Sequence, residues 1–301
     1  MRALALGVWA ALLLAAGPRP AINGIAHIVL RTDDMAAVRQ FYTGVLGYEE
    51  VFSHSRHGIA APLVVFKVNE RQYIEFAPAL KNEAEDKMIQ IGFETGNARE
   101  LRAYLAARGV AAPARIEPDA DGNLSFRVTD PEGHKVEFVE YRKSGLHAKH
   151  RGRALGQGRL SDHMMHVGVH VKDPGPQAAF YRDVLGFRLQ WQGGPRDDRF
   201  DWMSYMTPDG GDWIEFMISP PEPTAQQLGV WHHICLETLD IQSVHRAVLA
   251  RGHTPRREPA IARDGRWLLH LFDKHNTRTE FMVRKPVEKP CCSPNLDPYA
   301  R

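Results

Sequence analysis

Residues 162–187 read DHMMHVGVHVKDPGPQAAFYRDVLGF: an apolar strand pattern carrying His166 and His170, then a short helical pattern closing on Phe180, Tyr181 and Gly186. The same spacing occurs earlier in the chain, between Gly24 and Tyr48. His27 precedes Phe41, Tyr42 and Gly47 by 14, 15 and 20 residues, and His166 precedes Phe180, Tyr181 and Gly186 by the same intervals. Recurrence at several offsets marks an internal repeat, and the repeat sets the organisation of the rest.

Around the first copy the pattern predicts a strand over 25–31, an amphipathic helix over 35–45, and strands over 63–68 and 72–77. A second unit opens with a strand over 88–95, continues into a helix closing at Gly109, and ends in a hairpin, 124–128 and 136–139, turned by Asp130 to His134. The third unit repeats the first and the fourth repeats the second. Gln90 to Gly109 and His233 to Gly252 both span 19 residues; Gln90 to Glu137 and His233 to Glu280 both span 47. The reading is a tandem duplication: a first domain over 22–142, a linker over 143–160, a second domain over 161–285 and a tail over 286–301. The basic, glycine-containing stretch between Arg142 and Arg159 reads as a solvated connection.

The 301 residues suffice for two cores, and 38 Lys and Arg against 36 Asp and Glu, mixed along the chain, leave no footprint for nucleic acid. Residues 1–21 begin with Arg2 and an apolar run from Ala3 to Ala16, too short for the ~20 residues of a membrane-spanning helix. They read as a signal peptide, so export to a periplasm or medium is expected, with no stable membrane insertion after its removal; without a signal the location would be cytoplasmic. Cys235 reads as a buried apolar residue. Cys291 and Cys292, adjacent in the proline-rich tail, read as exposed, able to bridge to another chain if oxidised.

Four strand-helix-strand-strand-strand units in two pairs, a His on the first strand, Ile-Glu-Phe late in a unit and Phe-Tyr-x-x-Val-Leu-Gly between them resemble the vicinal oxygen chelate superfamily, the group of glyoxalase I, bleomycin resistance proteins and extradiol dioxygenases. The resemblance covers about residues 22–285 and implies an α+β fold, with four βαβββ units forming two cup-shaped domains. Mapped residue by residue, it implies metal ligands at His166, Glu215, His233 and Glu280. A possible second site comprises His27, Glu75, Gln90 and Glu137, a set with one imidazole and one neutral amide, read as the decayed, structural half. Strand alternation and the repeat register select His233 over His232, and His170 stands too far along its strand to share an ion with His166.

His166, His233 and Glu280 would form the facial triad of a non-haem Fe(II) oxygenase; adding Glu215 gives the two-His, two-Glu set of a glyoxalase-like site holding Ni, Zn, Mn or a similar divalent metal. Dioxygenases of this kind carry Tyr-x-x-Asp-Pro before the final Glu, where this chain has His270 and Lys274. His270 is then the candidate catalytic acid or base, and Trp202, Tyr205 and Trp231 are candidate pocket residues. The leading expectation is an Fe(II) extradiol-type dioxygenase acting on a small, catechol-like molecule. The alternatives are a metal-dependent lyase or isomerase and a metal-free small-molecule-binding resistance protein. Either a monomer or a homodimer is compatible.

Overall fold

The computed structural model describes residues 17–56, 58–219 and 223–300; residues 1–16, most of the expected signal peptide, lie outside them. Strand β1 (Ile22–Arg31) is buried along nearly its whole length, as a central strand must be. It lies between β4 (Tyr73–Ala77), parallel, and β5 (Met88–Thr95), antiparallel. β2 (Glu50–His54) and β3 (Leu63–Lys67) extend one side and β7 (Lys135–Glu140) and β6 (Leu124–Thr129) the other, giving the order β2-β3-β4-β1-β5-β7-β6. In the second sheet β8 (Met164–Val171) holds the central place between β11 (Trp213–Ile218) and β12 (His233–Glu237). Outside these lie β10 (Trp202–Met206) and β9 (Arg188–Gly193) on one side, β15 (Arg278–Met282), β14 (Trp267–Phe272) and the two-residue β13 (Ala260–Ile261) on the other. Apart from β13, the strand order is the same in both sheets. The fold is α+β, with two curled sheets as expected.

Helix α1 (Met35–Arg39) starts at Asp34, whose carboxylate accepts from the Ala37 N–H at 3.0 Å, and widens into a π-helical turn over Gln40–Val45. α4 (Pro174–Ala179) does the same over Phe180–Val184. Gly47 and Gly186 follow these turns at φ +82° and +79°, a conformation costly for any residue with a Cβ. α2 (Ala98–Ala107) and α6 (Ile241–Ala250) are the helices of the second and fourth units.

The helices cross the seam between the halves. Tyr104 on α2 donates to the Val184 carbonyl at 3.1 Å, and Arg251, which ends α6, donates to the Val45 carbonyl at 2.6 Å. Phe93 meets Phe187 at 5.3 Å, and Phe41 meets His253 at 5.3 Å. One apolar cluster therefore runs through both halves, from Ile28 and Phe93 to Val167 and Phe187. The stretch between the halves is not a solvated connection. Buried Lys67 donates to the His150 and Arg153 carbonyls at 3.0 and 3.1 Å, and short helix α3 (Leu146–Lys149) seats His147 against Tyr141 at 4.2 Å. Sequence composition conceals this because the segment's anchors are its own carbonyls.

At the seam His163 bridges Asp212 (2.7 Å) and Glu237 (2.6 Å), while Asp212 also accepts from the Ile25 N–H (2.8 Å) and Gln72 (3.1 Å) of the first half. Burial pulls the imidazolium down, but the two carboxylates outweigh it and hold its pKa up to about 9. A raised pKa stabilises the fold fully below the ordinary value of 6.5, and that stabilisation is lost as pH climbs through about 9. The melting temperature of the wild type should thus exceed that of His163→Gln near pH 6, and the gap should close by pH ~9.5. A gap independent of pH would show that the imidazolium is not the stabilising form.

The tail lies back over the second half. The Leu296 N–H donates to the Gln190 carbonyl (2.8 Å) and Trp191 Nε1 to the Cys291 carbonyl (3.2 Å). Cys291 and Cys292 are joined to each other as a disulfide, so the expectation of two exposed thiols is corrected. Their adjacency made the pairing invisible to reasoning about spacing. Cys235 is fully buried, as read from the sequence.

Candidate functional site

The second sheet gathers His166, Glu215, His233 and Glu280 on its concave face. Register explains why. Glu215 and His233 both lie opposite Gly168 on β8, one rung from His166, which faces Cys235 and through it Glu280. The two imidazole Nε2 atoms are 3.1 Å apart. Glu215 Oε2 lies 3.4 Å from His233 Nε2 and 3.8 Å from His166 Nε2; Glu280 Oε2 lies 3.4 and 3.9 Å from the same atoms. Glu215 is therefore as close to both rings as Glu280.

Two details favour a cation among these donors. His233 Nδ1 lies 2.8 Å from the Trp231 carbonyl, which only an Nδ1–H can serve, and Nε2 faces the cup, where Arg278 Nη2 lies 2.9 Å from it. Burial drives His166 well below the ordinary histidine pKa, so its ring is neutral, as a ligand must be. A Cβ on Gly168 would stand 1.9 Å from His233 Cε1; the ring lies directly across the glycine. Trp213 stacks on the other imidazole, His166, at 4.9 Å. The residues present thus fit a divalent ion: His166, Glu215 and His233 form one close group able to hold it, and Glu280 lies 3.4 Å from His233 Nε2 beside them. Cys235 lies beside His166 and Glu280, but burial keeps its thiol protonated.

Arg278, missed in the sequence, enters the same space. It lies two residues before Glu280 on β15, hence on the same face. Its Nη2 is 2.9 Å from His233 Nε2 and 3.8 Å from Glu280 Oε2, while its buried Nε has no hydrogen-bond partner among the described residues. Burial opposes ionisation of Glu280, yet Arg278 and the neighbouring histidines hold its carboxyl well below the usual range.

The other expected residues divide. His270 is 31% exposed and lies 3.6 Å from Glu280 Oε1. Trp202 is half-buried on the face of Ser204 and Glu215 and stacks with Trp191, also missed, at 6.5 Å. Trp231 stacks on His170 at 5.1 Å. Tyr205 does not line the cup. Alternation along β10 turns it to the opposite face, where it packs on Phe216 at 5.0 Å. His232 also points away, to Asp86 at 2.8 Å.

The first sheet brings His27, Glu75, Gln90 and Glu137 to one face, but around a side chain. Arg56, in the loop after β2, donates to Glu75 at 2.8 and 2.9 Å and to Glu137. Glu137 also accepts from Gln90 (2.9 Å), Ser125 (2.7 Å) and Arg127 (2.9 Å), and lies 2.8 Å from His27 Nε2. Burial alone would raise the Glu75 carboxyl; Arg56, His27 and His54 bring it down to about 2. The remaining cavity, between Tyr73, Tyr141 and His147, measures about 10 Å³, too small for a substrate.

With this geometry in place, the chain can be set beside known proteins. The Glyoxalase/Bleomycin resistance protein/Dioxygenase superfamily matches residues 24–138 and again 163–281. The chain belongs to this superfamily. It is 28% identical over 210 residues to an iron-dependent extradiol dioxygenase of Rhodococcus jostii (strain RHA1), covering 61% of this chain and 63% of the relative. It is 23% identical over 222 residues to metapyrocatechase of Geobacillus stearothermophilus, covering 70% and 64%. The chain thus spans less than two thirds of the length of these superfamily relatives. Among solved members, a Mn(II)-bound glyoxalase from Novosphingobium aromaticivorans superimposes with a TM-score of 0.65 at 17% identity, over 88% of this chain and 83% of the other. An extradiol ring-cleaving dioxygenase from B. fuscum gives 0.63 at 18% identity, over 94% and 76%. Likeness at this identity extends to the fold.

Proposed function

We propose that this superfamily member is a metal-dependent enzyme, an Fe(II) extradiol-type dioxygenase acting on a small catechol-like substrate at the second cup. The observation that carries this reading is the convergence of His166, His233 and Glu280 beside the partly exposed His270. A divalent ion bound there would act as a Lewis acid toward two adjacent substrate oxygens and leave positions for a further ligand. The chain's own residues do the rest. His270 takes or delivers a proton at the substrate oxygen nearest to it, and Trp202 offers an apolar face to an aromatic ring.

Arg278 supports an anionic ligand. With two neutral imidazoles, two carboxylates and one guanidinium, a divalent ion brings the cup to a net charge of about +1, which binding of a monoanionic oxygen ligand would neutralise. Arg278 in effect offsets Glu215, restoring the charge that two imidazoles and a single carboxylate would give.

A second reading, a glyoxalase-like lyase or isomerase, is favoured by one observation: Glu215 is as near to the imidazoles as Glu280. The two separate experimentally. Protein purified without oxygen should carry about one iron per chain, and catechols should drive oxygen consumption that Glu215→Ala reduces far less than Glu280→Ala. One nickel, zinc or manganese, with no oxygen uptake and equal loss of metal in both variants, would transfer the assignment to the lyase or isomerase. No metal after reconstitution would leave a binding protein.

A further inference from the structure

Both cups contain an arginine among carboxylates, but the two arginines are placed differently. In the second cup Arg278 reaches His233 Nε2 at 2.9 Å but Glu280 only to 3.8 Å, and His166, Glu215 and His233 keep ligand atoms within 4.8 Å of one another. In the first, Arg56 is wedged between the two carboxylates and hydrogen-bonded to both, and His27, Glu75 and Glu137 form no such close group. Arg56, His27, Glu75, Gln90 and Glu137 are all at most 4% exposed. Two buried carboxylates must be balanced by a cation, and the guanidinium fork supplies one with two-pronged geometry.

We infer that Arg56 is the resident cation of the first cup, occupying a latent divalent-metal site. Removing its side chain leaves one imidazole and two carboxylates around the vacated position, with Arg127 still paired to Glu137 Oε1 and to Gln90 Oε1, and this set will take a borderline or hard divalent ion such as Mn(II) or Zn(II). The first cup is thus closed to metal by a covalently attached substitute, and closed to substrate by Tyr141 and His147 above it. The assignment does not depend on what the second cup binds.

The test uses the full chain with His233→Ala, so that ions in the second cup do not obscure the count. Mn(II) titration followed by electron paramagnetic resonance, with elemental analysis after desalting, should find no tight equivalent in this parent. One equivalent should appear when Arg56→Ala is added, and vanish again with Glu75→Ala. Arg56→Met, which preserves apolar volume, should also gain the equivalent if Arg56→Ala does not fold; Arg56→Lys should not. Adding Mn(II) should raise the melting temperature of the Arg56→Ala chain more than that of its parent. A folded Arg56→Met chain with no added equivalent overturns the proposal. So does a tight ion in the His233→Ala parent that Glu137→Gln removes, because the first cup would then already hold metal beside Arg56.

Discussion

His233→Ala should lose metal affinity by at least ~100-fold, beyond the range measured for the outer partners of metal ligands, while far-ultraviolet circular dichroism stays native. His233 is fully buried and shares the rung on which Glu215 and Gly168 meet, so no neighbour can replace its Nε2. Truncation also leaves a cavity over Gly168 and should cost about 2–3 kcal/mol of stability by the usual large-to-small accounting. Gly168→Ala supplies an independent check. Its new Cβ would fall 1.9 Å from His233 Cε1, so the ring must be displaced, and metal should be lost although every ligand is retained. Elemental analysis of both variants against the wild type decides. Retention of full metal content in either one would remove His233 from the site.

The second large effect is expected in the first half of the chain. Glu137→Ala should destabilise the protein by about 3–5 kcal/mol, because removing one partner of a buried ion pair leaves the other charge uncompensated. Arg56 and Arg127 both lose a carboxylate contact, and Ser125 and Gln90 lose an acceptor. Urea unfolding monitored by tryptophan fluorescence and by circular dichroism measures the loss. Glu280→Ala, whose partners are fewer and longer, should cost less. Equal losses would mean that the first cup is no more tightly knit than the second.

The repeat made much of this legible. The offsets that align His27 with His166 and Gln90 with His233 also align Glu137 with Glu280, and one fold register then puts all of them on concave faces. The failures are physical. β2 hides because Val51 and Phe52 are adjacent instead of alternating, so no period of two is visible. Trp202 and Tyr205 lie three apart on one strand and could never have faced the same way. Arg278 was readable, being two residues from Glu280. Arg56 was not: it comes from a loop, and nothing local tells a strand-end arginine from one that turns inward to two carboxylates far along the chain.

The crossing of helices at the seam has a further implication for how such a chain can change. In a duplicated protein either copy is ordinarily free to drift or be discarded, since the other keeps the activity. Here α2 buttresses the third unit and α6 the first, and Asp130 of the second unit seats Gln177 and Tyr181 of the third at 2.6 and 3.3 Å. The half whose cup is filled by Arg56 is therefore part of the structural support of the other. Deleting it would remove the contacts that Tyr104, Phe93 and Asp130 make with the third unit, so its sequence can be relieved of chemistry but not of shape.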